Sequence, residues 1–186
     1  MSSRANLIKA HLFLATFIFP AVLMFLVTGG LYTWGIKGSY ATQDYPVTLT
    51  APLSGDLSSL QSLVEKELQQ LSLAAPTGSA KVKGSGSSLA LEWTGSKRDV
   101  SLAAGADPLS ATLTVKETTW YRNLVQLHKA KGGQVFKVYA ALLAVGLFLI
   151  LFTGFLMALQ MPKYRQLTII SSLSGLVLFG LAVVVS

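Results

Sequence analysis

The sequence predicts an α-helical membrane protein with three transmembrane helices and a small α+β domain between the first two. Three long apolar stretches are nearly free of charge, and the polar insert of about one hundred residues carries all eight acidic residues. Only 12% of the 186 residues are charged, whereas soluble domains average about 25%. The chain is therefore expected to lie in a lipid bilayer.

The first transmembrane helix is predicted within residues 1–34, after a short polar tail. The twenty residues Leu12 to Leu31 carry no charge, and at about 1.5 Å per residue they span about 30 Å, the hydrocarbon thickness of a bilayer. Pro20 can kink this helix, and Tyr32 with Trp34 marks its headgroup boundary. A cleaved signal peptide is the alternative, but its apolar region has only about 7 to 15 residues.

Residues 35–116 are predicted to form the α+β domain, with one helix on an antiparallel sheet. The helix should begin at its cap Asp56 and end near Leu71, because apolar residues recur every three or four positions. After Gly78 the apolar period changes to two, which indicates strands separated by glycine-rich turns. The segments Asp44 to Pro46 and Pro52 to Gly55 are predicted to be an extended lead-in with turns. The alternating apolar residues are Leu89, Leu91, Trp93, Val100, Leu102, Leu113 and Val115.

The rest of the chain returns to the membrane. Residues 117–134 form a predicted amphipathic interfacial helix, and 135–160 form the second transmembrane helix. Residues 161–166 are expected to be a cytoplasmic loop before a third transmembrane helix at 167–186. Orientation follows from the positive charges near the short ends. Those expected in the cytoplasm are Arg4, Lys9, Lys163 and Arg165.

The opposite side also carries lysines, so the charge asymmetry is incomplete. Large domains cross the membrane with little regard to charge, and the short ends and loop therefore carry more weight. The inserted domain is accordingly expected to be extracytoplasmic. The lysines on its side are Lys37, Lys129, Lys131 and Lys137.

Composition excludes several classes of function. The net charge of +7 is scattered over the chain, which argues against a nucleic-acid partner. With no cysteine, the chain has no disulfides, iron–sulfur clusters or cysteine nucleophiles. Any metal chemistry must use histidine, carboxylate or methionine. The short cytoplasmic parts have no glycine-rich fingerprint and no room for a nucleotide-binding domain.

The chain has only two histidines, and each stands at the entrance of a transmembrane helix. Because the first two transmembrane helices run in opposite directions, His11 shares a depth with Thr153-Gly154, and His128 shares a depth with Thr28-Gly29. Histidine near a membrane indicates function, and glycine allows close approach to the backbone. Haem satisfies both features, since neutral imidazole ligates its iron and glycine gives the porphyrin room.

Other interpretations of these residues stay open. A Thr-Gly pair is also a common packing notch between membrane helices, and a single histidine can simply occupy the membrane interface. Met157 and Met161 fall near the predicted depth of His11, so a histidine–methionine pair is chemically feasible there. Methionine is also an ordinary packing residue.

At these residues the chain resembles the PepSY-associated transmembrane helix family, and within it the small inner-membrane ferric reductases. The first feature is His11 followed by a helix ending Val27 to Leu31. The second is Leu127 to Lys129 leading through two glycines into a helix ending Phe152 to Phe155. The turn Gly105 to Leu109 is similar to that of PepSY domains. The resemblance covers roughly Ala10 to Leu159.

The resemblance implies haem b held by His11 and His128 in a bacterial inner-membrane protein with a periplasmic PepSY-like domain. It further implies ferric reductase activity, in which electrons pass from the cytoplasmic side to ferric iron or a ferric siderophore outside and ferrous iron becomes available for uptake. Larger members of the family have more spans and more histidines. Here the third span lacks histidine, which leaves the number of haems open.

Two histidines at opposite depths cannot both bind one iron within a protomer. We therefore expect a homodimer in which each protomer supplies the missing axial ligand; a non-histidine ligand or five-coordinate haem is the alternative. The electron donor should be a reduced flavin, a quinol or a reductase. The rival function is a cofactor-free membrane-anchored PepSY-like protein that binds or inhibits a partner, or an assembly subunit of a transporter.

Overall fold

A computed structural model describes residues 2–186, except for the side chains of Ser2, Ser3, Arg4 and Ser87. Met1, where the predicted segment 1–34 begins, and the charge of Arg4 lie outside the described residues. The chain divides into two compact units. One comprises the residues up to Val22 together with Ala141–Ser186, and the other comprises Leu23–Ala140.

The described residues form five α-helices and one five-stranded sheet, and along the chain α1, β1 and α2 are followed by β2 to β5 and then by α3, α4 and α5. The helices are α1 (Ser2–Thr33), α2 (Leu57–Gln70), α3 (Trp120–His128), α4 (Gly133–Leu159) and α5 (Pro162–Val185). The strands are β1 (Tyr40–Thr48), β2 (Ala80–Lys83), β3 (Ala90–Trp93), β4 (Arg98–Ala104) and β5 (Ser110–Thr118). Among these elements α1, α4 and α5 are long and apolar enough to cross a membrane, judged by length and composition. The prediction of three such helices is confirmed.

In the first unit, the start of α1 runs antiparallel to the second half of α4. Gly146 of α4 faces the side chains of Leu14 and Ile18, whose atoms lie 3.6 to 3.8 Å from where a Cβ would stand. Further along α4, Thr153 lies against His11, which precedes Leu14 and Ile18 in α1. Successive contacts along α4 therefore move backward along α1, so the two helices are antiparallel. None of the described residues of α5 is buried.

In the second unit, the sheet is antiparallel throughout, with strand order β1-β5-β4-β3-β2. The alternating apolar residues predicted from the sequence stand side by side across its central strands. Leu91 pairs with Leu102, which pairs with Leu113. Because side chains alternate between the faces of a sheet, these rows build one apolar face.

Helix α2 covers that face. Its residues Leu60, Val64 and Leu68 are buried at four-residue spacing, and they join the sheet residues in one core. Asp56 caps the helix, because its carboxylate accepts a hydrogen bond from the backbone N–H of Ser59 at 2.8 Å. The predicted helix on an antiparallel sheet is confirmed.

Two strands differ from the sequence prediction. Tyr40–Thr48, of which Asp44 to Pro46 was expected to belong to a lead-in with turns, is strand β1 and pairs along its whole length with β5. Pro46 obscured it, but a proline is tolerated on an edge strand because its missing N–H can face away from the neighbour. Strand β2 has only four residues, two of them lysines, and gives little apolar pattern.

Helix boundaries also differ. Helix α3 begins at Trp120 rather than at Glu117, because Glu117 still pairs with β1 as part of β5. Helix α5 begins at Pro162, so the predicted loop 161–166 shrinks to Gln160 and Met161. Proline suits the first helical position, where an N–H has no intrahelical partner.

Candidate functional site

Each histidine lies against the Thr-Gly pair of another helix. We call the first group, Thr28, Gly29 and His128, the His128 site. Nδ1 of His128 lies 2.8 Å from Oγ1 of Thr28. A Cβ on Gly29 would stand 3.1 Å from Cε1 of His128, tighter than ordinary van der Waals contact. Glycine is therefore the residue that lets the imidazole approach α1 closely enough for this hydrogen bond.

Aromatic rings flank the His128 site. The ring centroid of Phe25 lies 4.9 Å from that of His128 at an interplanar angle of 42°. Phe136 continues the row, with its centroid 6.5 Å from that of Phe25. Phe25 is one helical turn before Thr28, so both face the same side of α1. The imidazole therefore stands between a hydroxyl and an apolar wall.

A buried polar group holds α3, which ends at His128. Gln126 is fully buried, and its side-chain N–H groups donate to the Gly95 carbonyl at 3.3 Å and to Asp99 Oδ2 at 3.0 Å. The same carboxylate accepts from the Tyr40 hydroxyl at 2.9 Å and lies 3.5 Å from the Lys131 ammonium. These bonds tie α3 to the sheet two residues before the imidazole.

The Tyr40 phenol in this buried group has a shifted pKa. Desolvation by burial raises the pKa of Tyr40, and its hydrogen bond with Asp99 acts in the same direction. Arg122 opposes this shift, since its guanidinium donates to the phenol oxygen at 2.8 Å. Tyr40 is thus a neutral hydrogen-bonding link between strand β1 and α3 at neutral pH.

The tautomer of His128 follows from the hydrogen bonds of Thr28. A threonine hydroxyl has one hydrogen and two lone pairs. The Thr28 hydroxyl donates its hydrogen to the Met24 carbonyl at 2.7 Å, so toward His128 it can only accept. Nδ1 of the imidazole must therefore carry the proton, and Nε2 of the neutral ring keeps its lone pair. No hydrogen bond within the described residues involves this Nε2.

The same arrangement recurs at the His11 site, which we define as His11, Thr153 and Gly154. Nδ1 of His11 lies 2.8 Å from Oγ1 of Thr153. The Thr153 hydroxyl donates to the Leu149 carbonyl at 2.6 Å, so it again accepts from the imidazole. Nε2 of His11 is accordingly the nitrogen with the free lone pair. His11 is half-buried, whereas His128 is exposed.

In the structure, each of the two glycines lies against an imidazole ring. They were expected to give a porphyrin room to approach the backbone. The imidazole lies beside the glycine in each site, since a Cβ on Gly154 would lie 3.4 Å from Cε1 of His11 and a Cβ on Gly29 would lie 3.1 Å from Cε1 of His128. The lack of a side chain at these glycines leaves room for each imidazole to reach its threonine.

Each site contains one imidazole whose Nε2 could bind a metal. Within the part of the chain that the structure describes, no group of three or more histidine, aspartate or glutamate side chains could hold a metal ion. A free metal ion needs several protein ligands, whereas haem brings four ring nitrogens and needs only axial ligands. The donor set therefore fits haem better than a bare ion.

Four residues around the His128 site, Phe25, Tyr32, Lys37 and Phe136, were not predicted from the sequence. Tyr32, one turn beyond Thr28, has the ammonium groups of Lys37 and Lys129 over its ring at 5.2 and 5.6 Å from the centroid. Helical spacing from Thr28 could have indicated Tyr32 and Phe25. Lys37 and Phe136 could not be placed without the fold.

Comparisons with known proteins identify no relative. The chain matches no protein family model, no curated protein and no solved structure.

Proposed function

We propose that this chain is a haem b transmembrane oxidoreductase that reduces periplasmic ferric iron or a ferric siderophore. Each reaction transfers one electron, so a ferric ion becomes ferrous and a donor on the cytoplasmic side loses one electron. Ferrous iron would then be available for uptake. The proposal also assigns the chain to the PepSY-associated transmembrane helix family that it resembles.

The observation that carries the proposal is that Nδ1 of each histidine lies 2.8 Å from a threonine hydroxyl that already donates to a carbonyl oxygen. Haem-ligating histidines bind iron through one ring nitrogen while the other donates a hydrogen bond that orients the ring. Thr28 and Thr153 accept such a bond from Nδ1 at 2.8 Å. Nε2 of both rings is left with a lone pair for a metal.

The surroundings of the two imidazoles also suit haem. Haem b needs no covalent attachment and therefore no cysteine, and the chain has none. Phe25 and Phe136 provide an apolar wall beside His128. When bound, haem supplies one-electron transfer because its iron has stable ferric and ferrous states.

The protein's own part in this function is to position the two imidazoles. The threonine hydroxyls fix the orientation of the rings, and Gly29 and Gly154 allow the rings to reach them. Gln126 and Asp99 hold α3 against the sheet, which restricts the movement of His128. Rigid ligands lower the reorganisation that accompanies electron transfer.

In the proposed arrangement α1, α4 and α5 cross a bacterial inner membrane and the sheet domain lies in the periplasm. Lys9, Lys163 and Arg165 would then be cytoplasmic, in accordance with the positive-inside rule. The sequence resemblance of Gly105 to Leu109 to the turn of PepSY domains supports the PepSY-like assignment, and these residues connect β4 to β5. In this turn of the chain, Gly105 N–H donates to the Ser110 carbonyl at 2.9 Å.

A homodimer is part of the proposal. Each site of one chain presents one imidazole, and six-coordinate haem needs a second axial ligand. A second copy would supply it. The donor is proposed to be a reduced flavin, a quinol or a reductase, because the printed sequence contains no G-x-G-x-x-G dinucleotide fingerprint.

The visible spectrum of the full-length protein, purified from haem-replete cells, tests the proposal. We expect b-type bands after dithionite reduction, and a slower reoxidation in His128→Ala when ferric citrate is added. His11→Ala and His128→Ala should each lower the haem content, whereas the exposed Gln134→Ala should not. A colourless wild-type protein would refute the proposal and favour the cofactor-free binding or assembly function.

A further inference from the structure

A pair of lysines lies next to the His128 site. Lys37 and Lys129 place their ammonium groups 5.2 and 5.6 Å from the ring centroid of Tyr32. Tyr32 follows Thr28 by four residues on α1, a rise of about 6 Å on the same helix face. Lys129 follows His128 directly. We call Tyr32, Lys37 and Lys129 the lysine cluster.

The charges of the lysine cluster are not balanced by carboxylates. The ion pairs found among the described residues join Lys83 to Glu92, Arg98 to Glu117 and Lys131 to Asp99. Neither Lys37 nor Lys129 takes part in them. The face of an aromatic ring attracts cations, so Tyr32 holds both lysines near the site without neutralising them.

Lys37 and Lys129 lie near the Tyr32 ring and form no ion pair among the described residues, so together they are suited to bind a carboxylate ligand. Lysine ammonium groups form charge-assisted hydrogen bonds with carboxylates, which are stronger than neutral ones. The cluster also stands on the side of the membrane where the positive-inside rule does not favour lysine, given the proposed orientation. A role in insertion therefore does not account for these lysines.

We propose that the lysine cluster is a carboxylate-binding site for the propionates of the haem whose iron is ligated by His128. This inference rests on the proposed function. The propionates are the charged groups of the haem periphery, and the cluster is within one helical turn of the Thr28–His128 hydrogen bond. The lysine cluster thus determines that the propionate-bearing edge of the porphyrin faces Lys37 and Lys129. Carboxylates of a ferric complex share this chemistry and are the competing source.

Reconstitution with two porphyrins tests the inference. Full-length His11→Ala protein, in which bound haem reports the His128 site, is titrated with iron protoporphyrin IX and with its uncharged dimethyl ester. We expect the free acid to bind about tenfold to a hundredfold more tightly, as for hydrogen bonds to charged groups. Lys37→Gln combined with Lys129→Gln should abolish this preference.

Matched variants distinguish a local effect from a change of net charge. Lys66→Gln removes an exposed lysine from α2 and should keep the preference for the free acid, as should Lys37→Arg with Lys129→Arg. Tyr32→Leu should reduce it, because the lysines lose the ring that holds them, and Tyr32→Phe should not.

Three results would overturn the inference in different ways. If neither porphyrin binds to the wild type or to His11→Ala, the proposed function fails and the inference fails with it. If haem binds but the double glutamine variant keeps the preference for the free acid, only the inference fails. If that preference is kept while the KM for ferric citrate rises, the cluster binds carboxylates of the substrate, and the haem assignment is wrong.

Discussion

Thr28 and His128 are 100 residues apart in the chain, yet the Thr28 hydroxyl oxygen and His128 Nδ1 lie 2.8 Å apart. The hydroxyl hydrogen is already donated to the carbonyl of Met24, so this contact fixes the proton on Nδ1. Thr153 and His11 repeat the relationship in the other unit. Two independent copies of one hydrogen-bond pattern indicate that the direction of each imidazole matters.

Replacing Thr28 with valine tests the tautomer. Valine has nearly the same shape but cannot accept the Nδ1 hydrogen bond, so the tautomers should mix and haem retention at His128 should fall about tenfold to a hundredfold. Thr28→Ser, which keeps the hydroxyl, should have the same single tautomer and the same haem retention as the wild type. Nitrogen-15 NMR of histidine-labelled, haem-free protein should show an unprotonated Nε2 in the wild type.

Thr16→Val is the matched control for this substitution. Thr16 also donates to a carbonyl one turn earlier, that of Leu12, at 2.9 Å. It has no contact with a histidine among the described hydrogen bonds. A protonated Nε2 in the wild type, or equal haem loss in Thr16→Val, would contradict the assignment.

The adjacent glycines of α1 give a second test. Gly29→Ala puts a methyl group 3.1 Å from His128 Cε1, which should displace the ring and lower haem retention at this site. Gly30→Ala meets nothing within 4 Å, and it should increase helix stability by up to about 1 kcal/mol. Haem content and thermal unfolding measure the two effects. Equal haem content in both variants would show that the ring does not need Gly29.

The sheet core gives a prediction about stability. Leu102 is fully buried between Leu91 and Leu113, so Leu102→Ala should lower the free energy of unfolding by about 2 to 5 kcal/mol. Leu109 is 45% exposed in the β4–β5 turn, and Leu109→Ala should cost no more than about 0.5 kcal/mol. Urea denaturation of the full-length protein in detergent, followed by tryptophan fluorescence, compares them. A similar loss of unfolding free energy in Leu102→Ala and Leu109→Ala would contradict a core built around Leu102.

The cap of α2 predicts a pH dependence. Hydrogen bonds from Ser58 and Ser59 lower the pKa of Asp56 from 3.8 to about 2. Because the folded pKa lies below the unfolded one, the ionised carboxylate stabilises the fold above about pH 4. That contribution is lost as the pH falls through about 2.

Asp56→Asn keeps a capping oxygen but cannot ionise. The melting temperature of the wild type should therefore fall more steeply than that of Asp56→Asn between pH 4 and pH 2. Thermal unfolding followed by circular dichroism measures this difference. Parallel curves over that range would show that the cap is not coupled to the charge of Asp56.

The apolar pattern was sufficient to predict most of the fold. Long uncharged stretches predict α1, α4 and α5, because a bilayer requires them. The period-two pattern predicts β3, β4 and β5, whose buried residues form the core. Strand β1 was missed because it is an edge strand. Its residues are mostly exposed, and although Val47 and Tyr45 pack in the core, they give too short an apolar pattern to identify a strand.

The candidate site was predictable only in part. Opposite helix directions were enough to associate His11 with Thr153-Gly154 and His128 with Thr28-Gly29. They did not reveal the role of glycine, which depends on whether the imidazole or another group fills the space beside the backbone. The direction of the threonine hydrogen also had to be read from distances to carbonyl oxygens.

The threonine partners have a consequence for proton movement. A carboxylate beside a ligating imidazole can share or take its Nδ1 proton, but an alcohol oxygen is far too weak a base to do so. If the proposed haem is bound, each ring would therefore keep its hydrogen while its other nitrogen faces a changing metal charge. If the proposed function holds, electrons would move through this protein unaccompanied by protons from these rings, and the current would respond directly to membrane voltage.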